Sequence, residues 1–97
     1  MKSVNKGEAI AILERQLERY RGLAYAELLG LLDEPVSLEV VGPGGTTYQV
    51  EIDAVWDGEP GRDLRIMGMI DDGGWWRACA PLTSDFIISP DGSFVGE

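Results

Sequence analysis

The sequence predicts an α+β fold: an N-terminal helix or helix pair packed on a four- to five-stranded antiparallel meander sheet. Three observations predict it. Apolar residues recur at three- and four-residue spacing in the first third of the chain. Beyond Pro35 they alternate with polar residues, as strands with one dry face do. Glycine-rich stretches separate the alternating runs, and such short connections join antiparallel neighbours.

Ile10, Leu13, Leu17, Tyr20 and Ala24 make one apolar stripe on the first helix, with Glu8, Glu14, Arg15, Glu18 and Arg19 largely off it. Ser3 or Asn5 is placed to cap its start, and Gly22 to end it. Tyr25, Leu28, Leu29 and Leu32 repeat the spacing over a shorter second helix, which Pro35 forces to finish by about Glu34. The chain of 97 residues is read as a single domain, 1–97, helical over 1–34 and sheet over 35–97.

Val36, Leu38 and Val40 begin the sheet, and Gly42-Pro43-Gly44-Gly45 turns the chain into its clearest strand. There Tyr48, Val50, Ile52, Ala54 and Trp56 face one way, and Gln49, Glu51 and Asp53 the other, with Val55 as the exception. After Asp57–Gly61, Leu64, Ile66, Gly68 and Ile70 form the next inward row. Pairing Trp56 with Leu64, Ala54 with Ile66, Ile52 with Gly68 and Val50 with Ile70 keeps every partner apolar or small. A three-residue turn at Asp72–Gly74 would then set Trp76, Ala78 and Ala80 beside Ile70, Gly68 and Ile66. A two-residue turn would bury Arg77 without a partner. A short strand around Phe86–Ile88 follows, and Pro90-Asp91-Gly92 turns the tail back.

That register leaves Val55, Met67, Met69, Trp75 and Cys79 on the face away from the helices, interleaved with Arg65, Arg77, Glu51, Asp53 and Asp71. One helical layer covers one face of a sheet. The other is therefore expected to serve as an interaction surface, with Trp75, Met67 and Met69 as anchors and Arg77 stacked on a ring or paired with Asp71. The alternative is a tail that folds Phe94 and Val95 over these residues.

Charge narrows the partner. The chain carries a net −9, distributed as +1 over residues 1–30 and −10 over 31–97, with no base between Arg21 and Arg62. Nucleic acid and anionic membrane surfaces both require clustered bases, so neither is an expected partner. An acidic surface suits solubility, or docking of a basic partner. No run reaches the ~18 apolar residues of a membrane span. The lone Cys79 forms no intrachain disulfide, so a reducing, cytoplasmic location is expected.

The chain has no histidine, which removes His-based nucleophile arrangements and His-containing zinc sites. Gly42–Gly45 leads into a strand in a stretch without bases, which marks a hairpin rather than a phosphate cradle. Glu51 and Asp53 share a strand face where they could exchange a proton or hold a hard cation, but solvated charge is the more ordinary role of such pairs. Asp71-Asp72-Gly73-Gly74 lacks calcium-loop spacing. No catalytic, cofactor-binding or metal-binding residue is assigned.

The segments Tyr25-Ala26-Glu27-Leu28-Leu29, Tyr48-Gln49-Val50-Glu51-Ile52, Val55-Trp56-Asp57, Asp71-Asp72-Gly73-Gly74-Trp75, Pro81-Leu82-Thr83-Ser84-Asp85-Phe86-Ile87 and Pro90-Asp91-Gly92 together resemble a family of small uncharacterised bacterial proteins, a domain of unknown function. The resemblance spans most of the chain. It implies a bacterial cytosolic protein and supplies no catalytic residues. In architecture, a helix followed by an antiparallel meander resembles the cystatin-like arrangement, which hosts inhibitors, ligand pockets and enzymes alike. The expected function is a non-catalytic interaction protein, binding a protein partner or a second copy through Val55, Met67, Met69, Trp75, Arg77, Glu51 and Asp53. The alternatives are a small-ligand domain with a pocket between helix and sheet, near Tyr20, Tyr25 and Trp56, and an immunity-type inhibitor of a basic toxin.

Overall fold

The computed structural model describes residues 6–71 and 82–96. Helix α1 spans Lys6–Arg21 and the one-turn α2 spans Tyr25–Leu28, running into a 3-10 turn at Leu29–Leu32. Strands β1 (Val36–Val41), β2 (Thr47–Trp56), β3 (Leu64–Asp71) and β4 (Leu82–Ile88) follow. They form one antiparallel sheet in the order β1-β2-β3-β4. The fold is the expected α+β arrangement, with four strands in the described sheet.

Helix α1 buries Ala9, Ile12, Leu13 and Leu17. Its dry stripe therefore includes Ala9 and Ile12, whereas Ile10 is half-buried and Ala24 is exposed beyond the helix end. The chain breaks at Gly22 and restarts at Ala24, whose N–H donates to Glu27 Oε1 at 3.0 Å. That carboxylate satisfies one of the free N–H groups at the start of α2. The second helix is shorter than its apolar spacing suggests, because the 3-10 turn takes over at Leu29 and ends at Leu32.

The β2–β3 pairing matches the register expected from alternation, Trp56 opposite Leu64 through Val50 opposite Ile70. Gly68 lies under α1, where an added Cβ would stand 2.8 Å from Leu13 Cδ1 and 3.3 Å from Leu17 Cδ2. A glycine at this strand position lets the helix seat directly on the sheet. Tyr48, Val50, Ile52, Leu64, Ile66, Ile70, Phe86 and Ile88 complete the core below α1, α2 and the 3-10 turn.

The next pairing differs from the expected one. Ile70, Gly68 and Ile66 face Leu82, Ser84 and Phe86, not Trp76, Ala78 and Ala80. Trp75, Trp76, Arg77, Ala78, Cys79 and Ala80 lie outside the described residues. Of the two tail residues expected over the outer face, Phe94 turns the other way, while Val95 N donates to Ile87 O at 2.9 Å. Ser89 N donates to Ser93 O at 2.9 Å, closing a hairpin that bridges Ile88 to Phe94. Phe94 packs edge-on against the buried Phe86, with ring centroids 5.7 Å apart. Phe94 thus joins the helix side, below the Arg21 guanidinium at 5.2 Å, and does not cover the opposite face.

Candidate functional site

Every described helix, and Phe94 with them, lies on one face of the sheet. The other face is built from the odd-numbered residues of β2, β3 and β4. Val55, Arg65 and Ile87 form one cross-strand row, Asp53, Met67 and Asp85 the next, and Glu51, Met69 and Thr83 the third. Strand pairing therefore brings together five of the residues expected at the site: Val55, Met67, Met69, Glu51 and Asp53. Trp75 and Arg77 lie outside the described residues. Val55 is 43% exposed, and Met67, Met69 and Ile87 are half-buried.

Arg65 organises one end of this face. Its Nη2 lies 2.9 Å from Asp57 Oδ1, and its Nη1 bonds Asp85. The hydrogen bond it donates to Asp57, then the one it donates to Asp85, raises the guanidinium pKa above its ordinary value. With its two donors turned onto carboxylates, Arg65 offers little charge to a ligand. Glu51 and Asp53 face Met69 and Met67 across the strands. Among the described residues no group of three or more acidic, cysteine or histidine side chains is placed to hold a metal.

Asp57, Asp85 and Ile87 were not among the residues expected at this surface. The alternation Thr83, Asp85, Ile87 within Leu82–Ile88 carries the signal for two of them.

The Gly42–Gly45 stretch is a hairpin. Gly45 N donates to Gly42 O at 2.9 Å, and Gly45 has φ +89°. Glu8 leans against it, accepting the Tyr48 hydroxyl hydrogen bond at 2.7 Å. A Cβ on Gly42 would meet Glu8 Oε1 at 2.8 Å. A carboxylate in that position repels phosphate.

On the helix side an open groove of about 430 Å³ runs between the end of α1 and β1, lined by Gln16, Arg19, Tyr20, Leu23, Val36 and Leu38. It shares Tyr20 with the expected pocket but is not lined by Tyr25 or Trp56. The Tyr25 hydroxyl instead donates to the Arg62 carbonyl.

No protein-family model, curated protein or solved structure matches the chain. No described helix is long and apolar enough to cross a membrane.

Proposed function

We propose that the chain is a non-catalytic binding protein whose outer sheet face receives a basic protein surface. The observation that supports this reading is the composition of that face among the described residues. Val55, Met67, Met69 and Ile87 supply apolar contact, Glu51, Asp53 and Asp85 surround them, and Arg65 is engaged by Asp57 and Asp85. Apolar anchors ringed by one sign of charge suit a partner that brings apolar side chains and the opposite sign. A second copy is the weaker fit, because an isologous contact would set carboxylates against carboxylates. An immunity-type inhibitor of a basic toxin is a narrower form of the same proposal.

Size-exclusion chromatography with light scattering on the parent and on Met69→Asp tests the choice between partners. A monomeric parent is expected. A dimeric parent that Met69→Asp dissociates would transfer the surface to self-association. A strand-forming peptide of alternating lysine and leucine serves as a basic probe, followed by amide chemical shifts of the whole chain. Shifts at Glu51, Asp53, Val55, Met67 and Met69, lost in Met69→Lys, are expected. Shifts confined to the helix side would sink the proposal.

A further inference from the structure

We infer a second binding site on the opposite side of the molecule, at the edge strand β1, for an extended peptide that ends in a free carboxylate. Three independent features of the fold meet there.

The first is an open edge. Strand β1 ends the sheet, and no other described strand pairs with it besides β2. The β1–β2 hairpin is closed by Gly42 N donating to Thr46 O at 2.8 Å. Antiparallel bonding alternates from that pair, so Val40, Leu38 and Val36 bond toward Tyr48, Val50 and Ile52. The backbone N–H and C=O groups of Ser37, Glu39 and Val41 consequently point away from the sheet. They form the template on which a further strand can add.

The second feature is the groove beside this edge. Helix α1 packs over β3 and β4, so the inward side chains Val36 and Leu38 are only half-buried. Tyr20 and Leu23, the latter 38% exposed, form the facing wall. A strand added to β1 would alternate its own side chains, placing every second one over this groove. One apolar side chain there would cover Leu23 and Leu38 together.

The third feature is Arg19. It lines the groove, and its guanidinium bonds only Gln16 Oε1, at 3.5 Å, among the described residues. No described carboxylate neutralises it, whereas Arg62 lies within 3.9 Å of Glu59 and Arg65 is held by two acids. In a chain of net charge −9 a cation left available beside an apolar groove is a selective feature. A guanidinium presents paired donors that match a carboxylate. The groove residues include no acid to oppose it. An apolar side chain next to a terminal carboxylate, on a backbone that continues the sheet, satisfies all three features. A fatty acid would use the groove and Arg19 but leave the edge unbonded.

The test uses the whole chain, labelled with nitrogen-15, and an N-acetylated pentapeptide of alternating threonine and valine ending in leucine. It is titrated as the free acid and as the C-terminal amide, with decanoate as comparison. The free acid is expected to shift the amides of Ser37, Glu39 and Val41 and the side chain of Arg19. The amide form and Arg19→Gln are each expected to bind about tenfold more weakly, the loss of one charge-assisted hydrogen bond. Ser37→Pro removes an outward N–H without touching the β2 ladder and is expected to abolish binding. Arg19→Gln lies on an exposed helix position, so it reports even if Ser37→Pro misfolds. Equal affinity for acid and amide would overturn the assignment of Arg19. Decanoate binding that the peptide cannot displace would overturn the peptide in favour of a small amphipathic acid. Absence of shifts at β1, or concentration-dependent dimerisation through the same amides without peptide, would overturn the site.

Discussion

The two faces of the sheet are made by the same strands and differ by a single residue of register. On the inner face Ile52, Leu64 and Ile66 have no measurable exposure, and each touches a helix or another strand residue of its own kind. On the outer face Val55 stands next to Asp53, and Met67 lies between Asp53 and Asp85. Burial on the first face drives folding, since each large apolar side chain removed from water contributes roughly 1.5–3 kcal/mol. The second face keeps apolar area beside the carboxylates of Glu51 and Asp53, while Arg65 holds Asp57 and Asp85. Stability thus rests on one side of these strands and the proposed binding on the other, and substitutions can separate them.

The largest separation is expected from a matched pair. Ile66→Ala should destabilise the fold by about 2–5 kcal/mol, because it empties a fully buried site below α1. Val55→Ser, on the outer face, should stay within about 0.5 kcal/mol. Urea unfolding of the two variants measures both. A Val55→Ser cost approaching that of Ile66→Ala would mean that the outer face is a second core.

Next in size is Gly68→Val. The added side chain would drive into Leu13 Cδ1 and Ile52 Cδ1, at 2.8 and 3.3 Å from the first added carbon. Overpacking of this kind costs about 1–3 kcal/mol. Combining it with Leu13→Ala should cost less than the sum of the single changes, since the cavity of one receives the volume of the other. Strict additivity would show that α1 does not rest on Gly68.

Parity explains which parts of this arrangement were legible in the sequence. Alternation assigns a residue to a face, and it placed Tyr48 to Trp56 and Leu64 to Ile70 correctly because the offset that sets Trp56 opposite Leu64 also kept every partner apolar or small. For β4 only the parity was legible. Trp76 and Leu82 differ by six positions, an even number, so either can stand opposite Ile70 without moving a side chain between faces. The glycines after Asp71 favoured the nearer choice, and the structure takes the farther one. The same limit hid the partners of Arg65. Asp57 follows β2 directly, but Asp85 reaches Arg65 only through the longer offset. The β1 groove was illegible for a different reason: it depends on α1 lying over β3 and β4, a tertiary placement that no local period encodes.

A smaller effect is expected on the outer face itself. Arg65→Gln removes the cation that Asp57 and Asp85 share, leaving two carboxylates facing each other. All three groups are partly exposed, so the loss should be modest and screened by salt. The melting temperature of Arg65→Gln should fall below that of the parent at low ionic strength and approach it as salt is added. A salt-independent gap would indicate that Arg65 acts by packing its aliphatic stem.

The smallest effect concerns the hairpin that keeps Phe94 on the dry side. Asp91 accepts hydrogen bonds from the hydroxyls of Ser89 and Ser93 and from the Ser93 N–H, the last at 2.9 Å. The Ser89 bond, then those from Ser93, lowers its pKa from 3.8 to about 2. A carboxyl group depressed in the folded state stabilises the fold when ionised. That contribution is complete above the unfolded value of 3.8 and disappears as the pH falls through about 2. The parent should therefore exceed Asp91→Asn in melting temperature near neutral pH, and the gap should close between about pH 4 and pH 2. Because the turn positions Phe94 against Phe86, the ring-current shifts of the two phenylalanines should weaken over the same interval. A carboxyl that titrates near 3.8, with Phe94 undisturbed in Asp91→Asn, would show that the aromatic contact alone returns the tail to the inner face.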